Sequence, residues 1–245
     1  MKNGLVVGGG KGIGLGFVRG LLADDKIDLL YATYRRLESA TELLAINDAR
    51  LCCLQMDITE ESQIVTVVEK IKAETSTLNF VINSAGVLHE GEMQPEKSLR
   101  QINGAQLSRY FQVNSVGAML LFKYVQPLLK HGDRSILATI SAKVGSISDN
   151  ESGGWYGYRA SKAALNMFIR TTAIEYKRTC PQAIVVALHP GTTDTNLSLP
   201  FQRSVPPEKL FSVDKTVQQL LTVIDGLESK DSGEFFSWDG SRLPW

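Results

Sequence analysis

The sequence predicts a doubly wound α/β domain, a mostly parallel sheet of about seven strands with helices on both faces. Three observations predict it. Short apolar, β-rich runs alternate with helical patterns of roughly 10–15 residues, as right-handed βαβ crossovers require. The first apolar run feeds a glycine-rich turn that opens a helix. The 245 residues are 43% hydrophobic and carry no linker, repeat or low-complexity tract. One core and one domain over residues 1–245 are therefore expected.

The elements follow in order. Residues 3–8 read as a buried strand, 12–23 as a helix, and Asp28–Tyr34 as a second strand. A short helix is expected over 38–47 and a strand over 51–55. Residues 60–74 have helical periodicity with charges on one face, and Asn79–Asn83 form the fourth strand. A long helix is expected over 104–130, a strand over 134–140, a helix over 156–178 and a strand over 182–188. Residues 192–212, stiffened by Pro200, Pro206 and Pro207, read as a loop. A helix near 214–227 and a strand near 233–237 close the chain.

Composition excludes several function classes. Lys plus Arg and Asp plus Glu both total 26, so no net field favours nucleic acid or an anionic membrane. No signal-peptide pattern and no apolar run of membrane length is present, which makes a cytoplasmic protein the expectation. Cys52, Cys53 and Cys180 are odd in number and read as free thiols. His89, His131 and His189 lack metal-ligand spacing, so no metal is expected.

The turn Gly8-Gly9-Gly10-Lys11-Gly12-Ile13-Gly14 lies between a strand and a helix. It fits Gly-x-x-x-Gly-x-Gly, and neither the Gly-x-Gly-x-x-Gly fingerprint nor an NTPase loop. Glycines there allow positive φ and close backbone approach, and the helix N-terminus offers free N–H groups to a pyrophosphate. At the end of the second strand an acidic residue would accept a ribose 2′-hydroxyl. Here Arg35 and Arg36 follow Tyr34, and Lys11 in the glycine loop adds a third cation. Cations suit a 2′-phosphate, favouring NADP over NAD. Asp57 can accept from an adenine amino group, or cap the next helix with Glu60 completing a capping box.

Tyr158 and Lys162 stand four residues apart in Tyr-Gly-Tyr-Arg-Ala-Ser-Lys, on one helix face. An ammonium beside a phenol lowers its pKa, so that Tyr158 can pass a proton to or from an oxygen near neutrality. Alone, such a pair is weak evidence among seven tyrosines. Its context decides.

With these pieces in order, the chain resembles the short-chain dehydrogenase/reductase family along essentially its whole length. The matching segments are Gly8-x-x-x-Gly12-Ile13-Gly14, Asp57-Ile58, Asn83-Ser84-Ala85-Gly86, Asn114, Ser141, Tyr158-x-x-x-Lys162 and Pro190-Gly191. The run after Tyr156 is similar to the branch of sniffer-type carbonyl reductases and C-factor signalling proteins. The resemblance implies a single NAD(P)-binding Rossmann domain and an NADP-dependent oxidoreductase acting on a carbonyl or alcohol. Tyr158 would be the acid/base, and Lys162 would tune it and hold the nicotinamide ribose. Ser141 would polarise the substrate oxygen, and Asn114 would help hold a water linking Lys162 to solvent. Asn83, Ala85 and Gly86 would pass the adenosine ribose. Pro190, Gly191, Thr193 and Thr195 would pass the nicotinamide, though an ordinary Pro-Gly turn is the alternative. A homodimer or homotetramer is also implied.

Departures from the family pattern are visible. Val7 stands where threonine is common, removing a brace of the glycine turn; Ser84 replaces an asparagine. Ser141 and Tyr158 are 17 residues apart, with Asp149–Gly154 as an insertion expected to border the substrate entrance. The apolar residues of 192–212 suggest a lid over a substrate with apolar substituents. The competing expectation is a nucleotide-binding signalling or regulatory protein whose output is a protein contact.

Overall fold

The computed structural model describes residues 2–245. Seven parallel strands form one sheet: β1 (Lys2–Val7), β2 (Ile27–Tyr34), β3 (Leu51–Gln55), β4 (Phe80–Asn83), β5 (Ser135–Ile140), β6 (Ala183–His189) and β9 (Phe235–Ser237). Their order is β3-β2-β1-β4-β5-β6-β9, and every pairing is parallel. This is the expected Rossmann architecture. The direction of travel reverses beside β1, where an open α/β sheet forms its binding crevice.

Alternating strand residues feed two cores. Leu5, Val7, Val81 and Leu137 point into one core with α3 (Glu61–Glu74), α5 (Gly117–Leu129) and α6 (Tyr156–Thr179). Val6, Ile82, Ile136 and Ala138 point into the other with α1 (Gly12–Leu22) and α7 (Val213–Asp225). Fully buried Phe17 and Phe122 anchor one core each. Burying such a side chain contributes about 1.5–3 kcal/mol. Period-two apolarity on both faces is what turned these segments into strands covered on both sides.

Three segments differ from the sequence expectation. The helix over 38–47 is only a 3₁₀ turn at Leu37–Ser39 and a single turn, α2 (Thr41–Leu44). The long helix breaks into α4 (Gly104–Phe111), a π turn at Gln112–Val116, and α5. Its start is capped by Asn103, whose side chain accepts from the Ala105 and Gln106 amides. The stretch 192–212 is structured: β7 (Thr192–Thr193) pairs with β8 (Leu210–Phe211), and 3₁₀ turns lie between them.

Candidate active site

The glycine turn between β1 and α1 is held by backbone geometry that side chains would break. Gly8 has φ +79°. A Cβ on Gly14 would stand 2.1 Å from the Gly8 carbonyl oxygen and 2.4 Å from Ser84 Oγ. The brace absent at Val7 arrives from elsewhere. The Gly8 amide donates to Thr33 Oγ1 (3.2 Å), and Ser84 Oγ donates to the Val7 carbonyl (3.0 Å). Lys11 occupies the N-cap of α1 without a side-chain cap. The opening amides therefore remain available to an anion. Thr195 Cγ2 lies 3.3 Å from where a Cβ on Gly12 would stand. The Pro190–Thr195 segment thus closes on the same turn, with Thr193 Oγ1 bonded to Thr216 Oγ1 at 2.9 Å. A bare glycine cradle at an uncapped helix start fits a dinucleotide diphosphate.

One end of this crevice is charged. Arg35, just past β2, donates to Glu90 Oε1 at 2.6 Å, and Arg36 lies 4.0 Å from the same oxygen. Arg109, on α4, donates to Glu90 Oε2 through Nη2 (3.0 Å) and Nε (3.2 Å). Burial raises the Glu90 carboxyl, but the two arginines outweigh it and hold it below its ordinary range. Asp57 behaves likewise: burial raises it, while bonds from Thr59 and the charges of Arg35 and Arg109 lower it on balance. Asp57 does not cap α3. Its Oδ1 accepts from the Thr59 amide and hydroxyl in a local turn, and Glu60 is the N-cap residue with no side-chain cap. The capping box does not form because Asp57 closes its own turn first. Ile58 is buried beside it.

The other end is buried and aromatic. Tyr158 and Lys162 are 7% and 3% exposed. Lys162 Nζ donates to the Ile140 carbonyl at 3.0 Å and stands 5.9 Å from the Tyr158 ring centroid. Burial pushes the Tyr158 phenol up, with the nearby Tyr110 adding to the rise. Burial pushes Lys162 down to about 8. This corrects the expectation of an acidified phenol. The ammonium faces the ring and a carbonyl, so desolvation of the hydroxyl wins.

Asn114 sits in the π turn and ties two elements together. The Val87 amide donates to its Oδ1 (2.8 Å), while its Nδ2 donates to the Val87 carbonyl (2.9 Å) and Ser161 Oγ (3.0 Å). These bonds explain the widened turn in the helix; π turns recur where a side chain must be re-aimed. A Cβ on Gly86 would lie 3.5 Å from Asn114 Oδ1 and 3.6 Å from Lys162 Nζ. A Cβ on Gly8 would lie 3.0 Å from the Ala85 amide nitrogen, which itself donates to Asn83 Oδ1. The short run Asn83–Gly86 therefore touches the glycine turn at one end and the Tyr158–Lys162 helix at the other.

Ser141 does not join this group. Its Oγ is buried, donating to Asn166 Oδ1 at 2.6 Å. Asn166 lies eight residues past Tyr158, about 12 Å along the helix axis, and helical side chains tilt toward the N-terminus. That bond engages the Ser141 hydroxyl with α6 two turns beyond Tyr158.

Sequence reasoning missed several neighbours. Trp155 precedes α6 with φ +51°, its ring 6.1 Å from Tyr158 and 4.9 Å from Phe201. Its amide donates to the Glu96 carbonyl, and the Gly157 amide donates to Glu96 Oε2 at 3.1 Å. Tyr110 packs edge-on to Tyr158 at 6.2 Å. Glu96 and Tyr110 carry no spacing signal, because they reach Tyr158 from segments distant in the chain. Among the described residues no cluster could hold a metal ion, and no helix is long and apolar enough to cross a membrane.

The glycine cradle and the buried Tyr158–Lys162 pair lie together on a parallel sheet of the Rossmann type. A model of the short chain dehydrogenase family matches residues 2–204, and the chain belongs to that family. It is similar in structure to the NADPH-bound carbonyl reductase from chicken fatty liver, with a TM-score of 0.89, 30% identity, and 100% and 99% of the two chains covered. The carbonyl reductase Sniffer of D. melanogaster gives a TM-score of 0.88 at 28% identity over 100% of both chains. The C-signal protein of Myxococcus xanthus is 33% identical over 172 residues, 70% of this chain and 95% of that one.

Proposed function

We propose that the chain is an NADP-dependent carbonyl reductase with Tyr158 as proton donor. The observation that carries this is the Asn83–Gly86 run, which joins the glycine cradle to the buried Tyr158–Lys162 pair within a few ångströms. The amides opening α1, with Gly8, Gly12, Ile13 and Gly14, would hold the diphosphate. Arg35, Arg36 and Lys11 would receive the 2′-phosphate, and Asp57 with Ile58 would border the adenine. Lys162 would hold the nicotinamide ribose, with Pro190, Gly191, Thr193 and Thr195 along the nicotinamide. The cofactor, when bound, supplies the hydride.

The chain's own residues handle the proton. Burial keeps the Tyr158 phenol neutral at pH 7, so it enters the reaction as an acid and gives its proton to the carbonyl oxygen. The phenolate left behind would draw on the charge of the nearby Lys162 ammonium, which burial leaves charged below about pH 8. Trp155, Phe201 and Leu199 favour a substrate with apolar substituents, covered by the 192–212 segment. Likeness to the two carbonyl reductases supports this reading. Exposed Met167 and Ile174 on α6 and Val116 in the π turn support a homodimer or homotetramer.

The test is NADPH oxidation by purified protein against a panel of aldehydes, ketones and quinones, with Tyr158→Phe alongside. Turnover that collapses in the variant supports the reading; equal turnover in both removes it. Likeness to the C-signal protein favours a second reading, a nucleotide-binding regulator acting through a protein contact. NADPH binding without turnover across the whole panel would favour it.

A further inference from the structure

Glu90 is the residue at which three arginines meet. It follows β4, whereas Arg35 and Arg36 follow β2, and β1 lies between those two strands in the sheet. The Arg35–Glu90 pair therefore reaches across the glycine-turn strand, spanning about two strand spacings, or roughly 10 Å. Asp57 lies within the field of both Arg35 and Arg109. The network thus roofs the part of the crevice where the proposed adenosine contacts converge.

Its bonds are uneven. Glu90 Oε1 receives Arg35 at 2.6 Å and has Arg36 at 4.0 Å; Glu90 Oε2 receives two bonds from Arg109, at 3.0 and 3.2 Å. The pairs are partly buried, with side chains 27–37% exposed at Arg109, Glu90 and Arg35. They are shielded enough to matter and open enough to exchange. One carboxylate faces three guanidinium groups, so the cluster alone carries a surplus of positive charge.

We propose that Glu90 sets the preference between the phosphorylated and unphosphorylated dinucleotide by competing with a 2′-phosphate for Arg35. A phosphate arriving at Arg35 displaces Glu90 Oε1, and Arg109 retains the displaced carboxylate through Oε2, so no buried charge is stranded. A dinucleotide with a free 2′-hydroxyl offers Arg35 no anion and leaves the Arg35–Glu90 pair intact. Glu90 thus weakens binding of the phosphorylated form by the strength of one partly buried ion pair. The proposal rests on Arg35 meeting the 2′-phosphate, and the test separates the two.

Equilibrium titrations of the full chain with NADPH and NADH, read by nucleotide fluorescence, compare wild type, Glu90→Gln, Arg35→Ala and the double variant. Glu90→Gln is expected to tighten NADPH about threefold, the scale of one exposed pair, while moving NADH less. The gain should shrink at high salt as screening grows. In the Arg35→Ala background the Glu90→Gln gain should vanish, since the two act on one contact. Arg109→Gln, which frees Glu90 for Arg35, should weaken NADPH. If Arg35→Ala weakens NADPH but Glu90→Gln leaves it unchanged or weaker, the competition is overturned and the phosphate contact stands. If Arg35→Ala leaves NADPH unchanged, both fall.

Discussion

The two ends of the crevice are built on opposite physical terms. At the Tyr158 end the key groups are almost fully buried, and their hydrogen bonds run to backbone: Lys162 to Ile140, Glu96 to Gly157, Asn114 to Val87. At the Arg35 end the groups are about a third exposed and bond one another as charges. Burial sets pKa values at the first end, because desolvation there is not offset by neighbouring charge. Ion pairing sets them at the second, where two arginines overcome burial at Glu90. The proposed chemistry thus falls where the groups are buried, and the proposed discrimination where partners can exchange.

The largest expected effect breaks the chemical end alone. Tyr158→Phe should lower turnover by about 10²–10⁴-fold, the usual range for a lost acid, with the NADPH dissociation constant nearly unchanged. A large loss of binding in that variant would erase the division between the two ends.

Gly14→Ala should break both, because its Cβ would overlap the Gly8 carbonyl that anchors the turn. A loss of about 3 kcal/mol in chemical denaturation is expected, together with loss of NADPH binding. Normal stability would show that the turn shifts freely.

The pH dependence sharpens the contrast. Lys162 is charged below about pH 8 and neutral above it. Reduction should fall as pH rises through 8, and Lys162→Arg should move that limb upward. Stability should change the opposite way. The folded pKa lies below the free lysine value of 10.5, so the folded state binds fewer protons between about 8 and 10.5, and the burial penalty is relieved as pH climbs. Parallel rate and denaturation profiles over this window would check both signs.

Arg35→Ala with Arg36→Ala should weaken NADPH about tenfold, at about 1.4 kcal/mol, and NADH far less. Equal losses for the two nucleotides would remove the charge-based discrimination. The smallest effect is expected at Ser141→Ala, about threefold or less in kcat/KM. A loss approaching that of Tyr158→Phe would return Ser141 to the reacting oxygen.

Much of the fold was legible because its signals are local. Val6 and Val7 alternate between two cores, and the glycine turn needs glycine where a Cβ would strike Gly8 and Ala85. Tyr158 and Lys162 share a face by helical spacing alone. The π turn was not legible, since it follows from Asn114 reaching Val87 and Ser161 across the fold. Nor was the place of Ser141: its position in the chain suited a polarising hydroxyl, and only the packing of α6 showed its bond to Asn166. Glu96 and Trp155 gave no signal because their meeting depends on a long excursion between β4 and α4.

By itself the sequence determined the α/β architecture, the anion-ready glycine turn and the face shared by Tyr158 and Lys162, since periodicity and backbone sterics act over a few residues. Only the tertiary structure decided that the phenol is raised rather than lowered, that Ser141 serves Asn166, and that Glu90 stands between the arginines. Desolvation and ion pairing depend on which distant segments close around a group, and no local pattern carries that.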